Sequence, residues 1–186
     1  LPSWTYFNKY LLKIEEEELF HKHWQLICHQ SDISNIGDFI TFDICKERIL
    51  IVRDKEKKIN AFYNLCRHRG SRVIQDKEGS CNAIVCPFHG WVYNLDGTLR
   101  GPTQPKSFPK LNKVEWGLKE LELSTWFGFV FIRFQFGPQP DITQVLKKFE
   151  NEVKQYELDK LLPSGDPFWQ ENVAANWKCV RDVDNE

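Results

Sequence analysis

The sequence predicts a mainly β protein, an antiparallel sandwich or small barrel, with a helix in front of it and an α+β segment behind it. Three observations lead there. Short apolar or alternating segments recur about every 8 to 12 residues between residues 24 and 134. Turn residues separate them, with Asn35 to Asp38 and the hairpin pair Asp96-Gly97 the plainest. The series then stops at Gly137-Pro138-Gln139-Pro140, where neither helix nor strand continues easily.

Composition sets the outer limits. The chain has 186 residues, 41% apolar and 27% charged, which is a globular balance. Lys and Arg number 25 against 26 Asp and Glu, a net charge of −1 with no basic block, so neither nucleic acid nor an anionic membrane is an expected partner. The longest apolar run, residues 126–132, is far short of the roughly 20 that a membrane span needs. The opening Leu1-Pro2-Ser3-Trp4 has no signal-peptide pattern, and a start at Leu rather than Met leads us to expect further residues before it. Six cysteines, at 28, 45, 66, 81, 86 and 179, would suit a three-disulfide framework in a small secreted domain. This chain is long enough to bury a core without such staples, and a reducing, cytoplasmic setting is expected.

Residues 8–22 read as an amphipathic helix with Asn8 as N-cap. The four glutamates at 15 to 18 read as its solvated face. Strands are expected at residues 24–28, 39–44, 49–53, 59–63, 83–86, 91–95, 98–100, 118–123 and 127–134. A second helix is expected over 142–156, with Val145, Leu146, Phe149 and Val153 on one stripe, and a further strand over 168–174. The expected units are a helical extension over 1–35, the β domain over 36–136, and the beginning of another domain over 137–186.

Chemistry concentrates in two motifs, Cys66-Arg67-His68-Arg69-Gly70 and Cys86-Pro87-Phe88-His89-Gly90-Trp91. Each supplies one thiolate and one imidazole. Two such loops meeting at their tips present two sulfurs and two nitrogens. All-cysteine ligation of a [2Fe–2S] cluster makes an ordinary ferredoxin, and replacing two cysteines by histidines on one iron makes a Rieske centre of higher potential. Cys66 and Cys86 would then hold the inner iron, and His68 and His89 the outer one. A structural Cys₂His₂ zinc site uses the same ligand types, but its order is Cys, Cys, His, His, whereas here the order is Cys, His, Cys, His. Trp91, Arg69 and Gly90 are expected to surround the cluster without ligating it, with a core position in the strand over 91–95 as the other reading of Trp91. Cys28, Cys45 and Cys179 read as small buried residues. His21, His23 and His29 read as surface or capping residues.

On these motifs, with Trp91-x-Tyr93, the chain resembles the α subunit of Rieske non-haem iron oxygenases, the ring-hydroxylating family. Leu1-Pro2-x-Trp4-x-Tyr6, Trp24-Gln25 and Ser31-Asp32-Ile33 resemble the same family. The resemblance implies an antiparallel Rieske [2Fe–2S] sandwich followed by the start of an α+β catalytic domain. Rieske proteins of respiratory complexes carry a disulfide between the cluster loops, and the matching positions here are Ser71 and Phe88. A stand-alone Rieske electron carrier is the alternative, although it has no need of the N-terminal helix or of the residues after Pro138.

The family's catalytic domain opens on Asn-Trp-Lys, matched by Asn176-Trp177-Lys178. Four residues on, Asp182 takes the place of the family's acid. Eight residues on, Glu186 takes the place of the carboxylate that bridges the two metals, where the family usually has Asp. The other reading of Asp182-Val183-Asp184-Asn185-Glu186 is an acidic helix start, favourable to the helix dipole. The resemblance also implies a mononuclear non-haem Fe(II) held by residues beyond 186. It implies electrons from NAD(P)H through a reductase, with or without a ferredoxin. It implies a homotrimer, with or without a β subunit, acting with O₂ on an aromatic acid or a quaternary ammonium compound. The outcome would be dioxygenation, monooxygenation or demethylation.

Overall fold

A computed structural model describes residues 1–163 and 171–184. Asn8 caps the first helix, its side chain accepting from Leu11 N–H at 2.9 Å. That helix is regular only over α1 (Lys9–Glu15) and continues as a π turn over Glu16–Phe20. The expected solvated glutamate face is corrected at one position. Glu15 is 9% exposed and turned inward, whereas Glu17 and Glu18 face solvent.

The strands follow in order: β1 (Gln25–His29), β2 (Asp38–Ile44), β3 (Glu47–Arg53), β4 (Ile59–Tyr63), β5 (Glu78–Ser80), β6 (Ile84–Val85), β7 (Val92–Tyr93), β8 (Leu99–Gly101), β9 (Glu122–Trp126) and β10 (Phe129–Arg133). They form three antiparallel sheets, ordered β1-β10-β9, β4-β3-β2-β5 and β6-β7-β8. Architecture is therefore mainly antiparallel β, as expected, with open sheets rather than a closed barrel.

Strand β3 explains the stack. Ile49, Leu50, Ile51 and Val52 are all completely buried. Alternate side chains of a strand point to opposite faces, so Leu50 and Val52 enter one core and Ile49 and Ile51 another. The first core holds Phe39, Phe62, Cys66, Cys86, Trp91 and Tyr93. The second holds Ile27, Ile33, Ile40, Val130 and Ile132. Each fully buried aliphatic side chain of this kind contributes about 1.5–3 kcal/mol. The central sheet is thus packed on both faces, and the two candidate ligand cysteines belong to one of its cores.

The expected strands over 118–123 and 127–134 are shifted. Phe127 and Gly128 have φ of 47° and 84° and form the tight turn between β9 and β10. Two successive left-handed residues are what a two-residue hairpin of this twist requires. The expected helix over 142–156 breaks into α2 (Ile142–Leu146) and α3 (Glu150–Val153), joined by a 3₁₀ turn over Lys147–Phe149 and followed by another over Lys154–Tyr156. Val145, Leu146 and Val153 are only half-buried and Phe149 is exposed, so the packing that sustains a long helix is missing.

Of the strand expected over 168–174, residues 168–170 lie outside the described residues, and residues 171–174 are not in a strand. The last helix, α4 (Trp177–Asp184), starts at the Asn-Trp-Lys motif. Asp182 therefore lies in its body, which corrects the acidic-helix-start reading. No described helix is long and apolar enough to cross a membrane.

Candidate metal centre

The loops between β4 and β5 and between β6 and β7 are built alike. In the first, Gly70 N–H donates to Cys66 O at 2.8 Å and Cys66 N–H donates to Ser71 O at 2.7 Å. In the second, Gly90 N–H donates to Cys86 O at 2.9 Å and Cys86 N–H donates to Trp91 O at 2.8 Å. Gly70 and Gly90 close these turns at φ of 67° and 65°, a left-handed conformation that glycine adopts without a Cβ penalty. The first loop is pinned at its base by Asn64, fully buried. Its side-chain oxygen accepts from Val73 and Ile74 N–H, both at 3.0 Å, and its amide donates to Ile74 O at 2.8 Å.

These turns bring the four candidate ligands together in two pairs. Cys66 and Cys86 are 3% and 2% exposed, and their thiols are hydrogen-bond neighbours. His68 and His89 lie outward of them, ring centroids 4.8 Å apart, His68 half-buried and His89 exposed. Desolvation pushes the Cys66 thiol up, partly opposed by hydrogen bonds from Tyr93 and from the His68 backbone. Desolvation, then repulsion from His89 and Arg69, lowers the His68 pKa.

The donor set fits a [2Fe–2S] cluster. Two buried thiols and two outward imidazoles are the two-plus-two ligation that a Rieske centre takes. His68 Nδ1 is buried and has no hydrogen-bond partner, an orphaned polar atom that a metal would satisfy. Among the described residues no three His, Cys, Asp or Glu side chains converge on one point as a single ion would require.

Trp91 is 2% exposed and lies flat on the His68 ring, centroids 5.0 Å apart and planes 3° from parallel. Phe108 meets both rings edge-on. Arg69 is exposed and acts on His68 through its charge. Gly90 lies under Thr103, whose hydroxyl donates to His89 O at 2.7 Å. Asp182 is placed elsewhere: it accepts from the Tyr6 hydroxyl of the N-terminal arm. Glu186 lies outside the described residues.

Two contributors escaped the sequence reading. Tyr93 Oη lies 3.3 Å from Cys66 Sγ and accepts from Arg67 N–H at 3.1 Å, which leaves its own proton for the sulfur. Its place in the Trp91-x-Tyr93 motif was a signal for it. Asn64 had none, since a lone Asn after a strand usually marks a turn.

Comparison with known proteins places both loops inside the region matched by a known family. The family model described as "Rieske [2Fe-2S] domain" matches residues 23–119, more than half of the chain. The glycine betaine monooxygenase oxygenase subunit of Pseudomonas aeruginosa is 34% identical over 188 residues, covering 100% of this chain and 42% of the relative. Chlorobenzene dioxygenase subunit alpha of a Cupriavidus species is 34% identical over 185 residues, covering 94% of this chain and 39% of the relative. Among solved structures, the quaternary ammonium Rieske monooxygenase CntA, in complex with an inhibitor, superposes with a TM-score of 0.88 at 28% identity. That match covers 98% of this chain and 50% of CntA. The chain spans about two fifths of the length of these curated relatives. With two Cys-His loops paired as a [2Fe–2S] cluster needs them, and a family model matching the region that carries them, the chain belongs to the Rieske [2Fe–2S] domain family.

Proposed function

We propose that this chain is the electron-entry portion of a terminal oxygenase α subunit. One observation carries the reading. Similarity does not stop at the edge of the Rieske domain: the likeness to CntA takes in 98% of the chain, and the match to the glycine betaine enzyme takes in all of it. A stand-alone carrier would account for residues 23–119 and would leave the N-terminal arm and α4 without a purpose.

In this reading Cys66 and Cys86 hold the inner iron, and His68 and His89 the outer one. The bound cluster supplies one-electron transfer. The chain's own residues do the rest. Trp91 and Phe108 fix the His68 imidazole and keep water from its inner face. Tyr93 directs its hydroxyl proton at the Cys66 sulfur, which favours the more negative, reduced state. His89 is solvent-exposed, and the Arg67 and Arg69 side chains beside the loop are exposed too. That gives an electron donor, a reductase or a ferredoxin, a positively charged approach.

A mononuclear Fe(II) held by residues after 186 would supply the O₂ chemistry. Asp182 and Glu186 are the carboxylates proposed to stand between the two metals, across a subunit boundary of a homotrimer. Glycine betaine is the first substrate to try, because it is the named substrate of a relative that covers the whole chain.

The test uses the full-length protein. Reduced protein should give the low-average-g electron paramagnetic resonance signal of a Rieske centre, and with a reductase, O₂ and glycine betaine it should form an oxidised product. Glu186→Gln should leave that signal intact while product formation drops steeply. A colourless protein binding zinc, or a Rieske signal with no O₂-dependent product from quaternary ammonium or aromatic substrates, would overturn the reading.

A further inference from the structure

Glu15 is the one member of the run of glutamates at 15 to 18 that is buried, and its partners lie at the other end of the chain. Its two carboxylate oxygens accept from Lys178 Nζ at 2.8 and 2.7 Å, across 163 residues of sequence. One of them also accepts from Trp177 Nε1 at 3.0 Å. Lys178 is 4% exposed. Two further contacts lie beside this pair. Phe20 packs edge-on against Trp177, centroids 5.2 Å apart, and the Tyr6 hydroxyl donates to Asp182. Three side chains of the N-terminal arm thus grip α4 at its first turn and at its last described one.

The backbone is shaped for this grip. Glu15 and Phe20 are five residues apart, which at 3.6 residues per turn puts them about 140° apart around an α-helix. Between them runs the π turn, closed by His21 N–H donating to Glu16 O at 3.1 Å. Its wider turn brings Glu15 and Phe20 back toward one side, so both reach Trp177. A regular helix would send one of them away from it.

We infer that Glu15 is a positioning residue, the latch by which the N-terminal arm holds α4 and so sets the place of Asp182 and of the chain beyond it. For its functional consequence this inference rests on the oxygenase reading above. In that reading α4 joins the cluster domain to the second metal, and the distance and orientation between them depend on where α4 is held. The motif Asn176-Trp177-Lys178 gains a physical role: Asn176 Oδ1 accepts from Lys178 N–H at 3.1 Å at the helix start, and Trp177 and Lys178 bind the latch. Removing one member of a buried ion pair leaves the other charge uncompensated, whereas removing both charges does not.

The test compares full-length wild type with Glu15→Gln, Glu15→Asp and the double variant Glu15→Gln/Lys178→Met. Amide hydrogen exchange is followed over residues 177–184 and, as a control, over 49–53. The reduced-cluster resonance signal and reduction potential are measured, together with the rate at which the chemically reduced cluster is reoxidised by O₂ with excess glycine betaine.

Glu15→Gln should speed exchange over 177–184 at least about tenfold and leave 49–53 unchanged. Signal and potential should stay as in wild type, and reoxidation should slow by about tenfold or more. Glu15→Asp should recover part of both the protection and the rate, and the double variant part of the protection. Unchanged exchange over 177–184 in Glu15→Gln would overturn the inference. So would faster exchange with no loss of rate, or equal acceleration over 49–53. If wild type shows no substrate-dependent reoxidation with glycine betaine or with aromatic substrates while exchange responds as described, the oxygenase reading falls and the latch stands.

Discussion

The imidazole of His68 and the indole of Trp91 lie 3° from parallel with their centres 5.0 Å apart. A candidate cluster ligand is thereby stacked on one of the largest fully buried side chains among the described residues. Trp91 also meets Phe108 at 5.4 Å and Trp116 at 5.7 Å. Core packing and ligand orientation are the same contact. Trp91→Ala should therefore lower stability by about 3–5 kcal/mol, the usual cost of emptying a buried aromatic site. Trp91→Phe keeps a ring over His68 and should retain most of the bound iron at a smaller loss. Chemical denaturation with iron and sulfide analysis checks both, and a Trp91→Ala protein as stable as wild type would contradict the core role.

Tyr93 offers a cleaner separation of stability from electronics. Its hydroxyl is shared between Cys66 Sγ and Arg67 N–H. Tyr93→Phe removes the donor to sulfur and keeps the ring in its fully buried place. A hydrogen bond to sulfur favours the more negative, reduced cluster, so its loss should lower the reduction potential. One such bond is worth about 1 kcal/mol, which for a one-electron couple is about 40 mV. A potential equal to wild type, measured by redox titration, would rule out donation to the sulfur.

Alkaline stability should depend on a cysteine remote from the cluster loops. Burial, then the Asp32 charge, push the Cys28 thiol up from 9.0 to about 12, with Arg53 opposing. The folded state favours the neutral thiol. Its contribution is complete below the unfolded pKa of 9.0 and is lost between there and about 12, as the unfolded chain gives up a proton that the folded chain keeps. Stability should fall through this window with a one-proton component of about 1.4 kcal/mol per pH unit. Cys28→Ala removes that component. Urea titrations from pH 9 to about 12 should give a shallower decline for the variant, and parallel curves would refute the assignment.

How much of the molecule the sequence reveals depends on the range of the forces involved. The two Cys-His loops were legible because four candidate ligands stand at short spacings, and Gly70 and Gly90 mark the left-handed turns that close them. Strand β3 was legible as a buried run, but not that its alternate residues serve two cores, since that needs the sheets on either side. Glu15 looked like its three neighbours. The π turn, and a tryptophan and a lysine more than 160 residues away, distinguish it. Sequence alone runs the hairpin at Phe127-Gly128 into a strand, because Phe rarely adopts positive φ. The backbone turns there directly beside His29, where Gly128 has no room for a Cβ.

The two loop glycines supply the last prediction, because they share a conformation and differ in surroundings. Gly70 and Gly90 have φ of 67° and 65°, so alanine at either meets the same backbone strain, about 1–2 kcal/mol. A Cβ on Gly70 would meet nothing within 4 Å. A Cβ on Gly90 would run into Thr103 Oγ1, the atom that donates to His89 O at 2.7 Å. Gly90→Ala must therefore strain the turn and also displace the threonine that ties down the second ligand loop. Gly70→Ala should lose only the strain energy and keep its cluster. Gly90→Ala should lose at least about 1 kcal/mol more, the net worth of the displaced hydrogen bond, and should bind less iron. Thr103→Ala in the Gly90→Ala background removes the collision. It should recover the collision energy and bring stability above that of Gly90→Ala, yet leave it below Gly70→Ala by about 1 kcal/mol, because the hydrogen bond to His89 O is still missing. Denaturation midpoints and iron content of the four proteins decide it. Equal losses for the two single variants would mean that Thr103 moves aside freely and that the second loop is held by Cys86 and Trp91 alone.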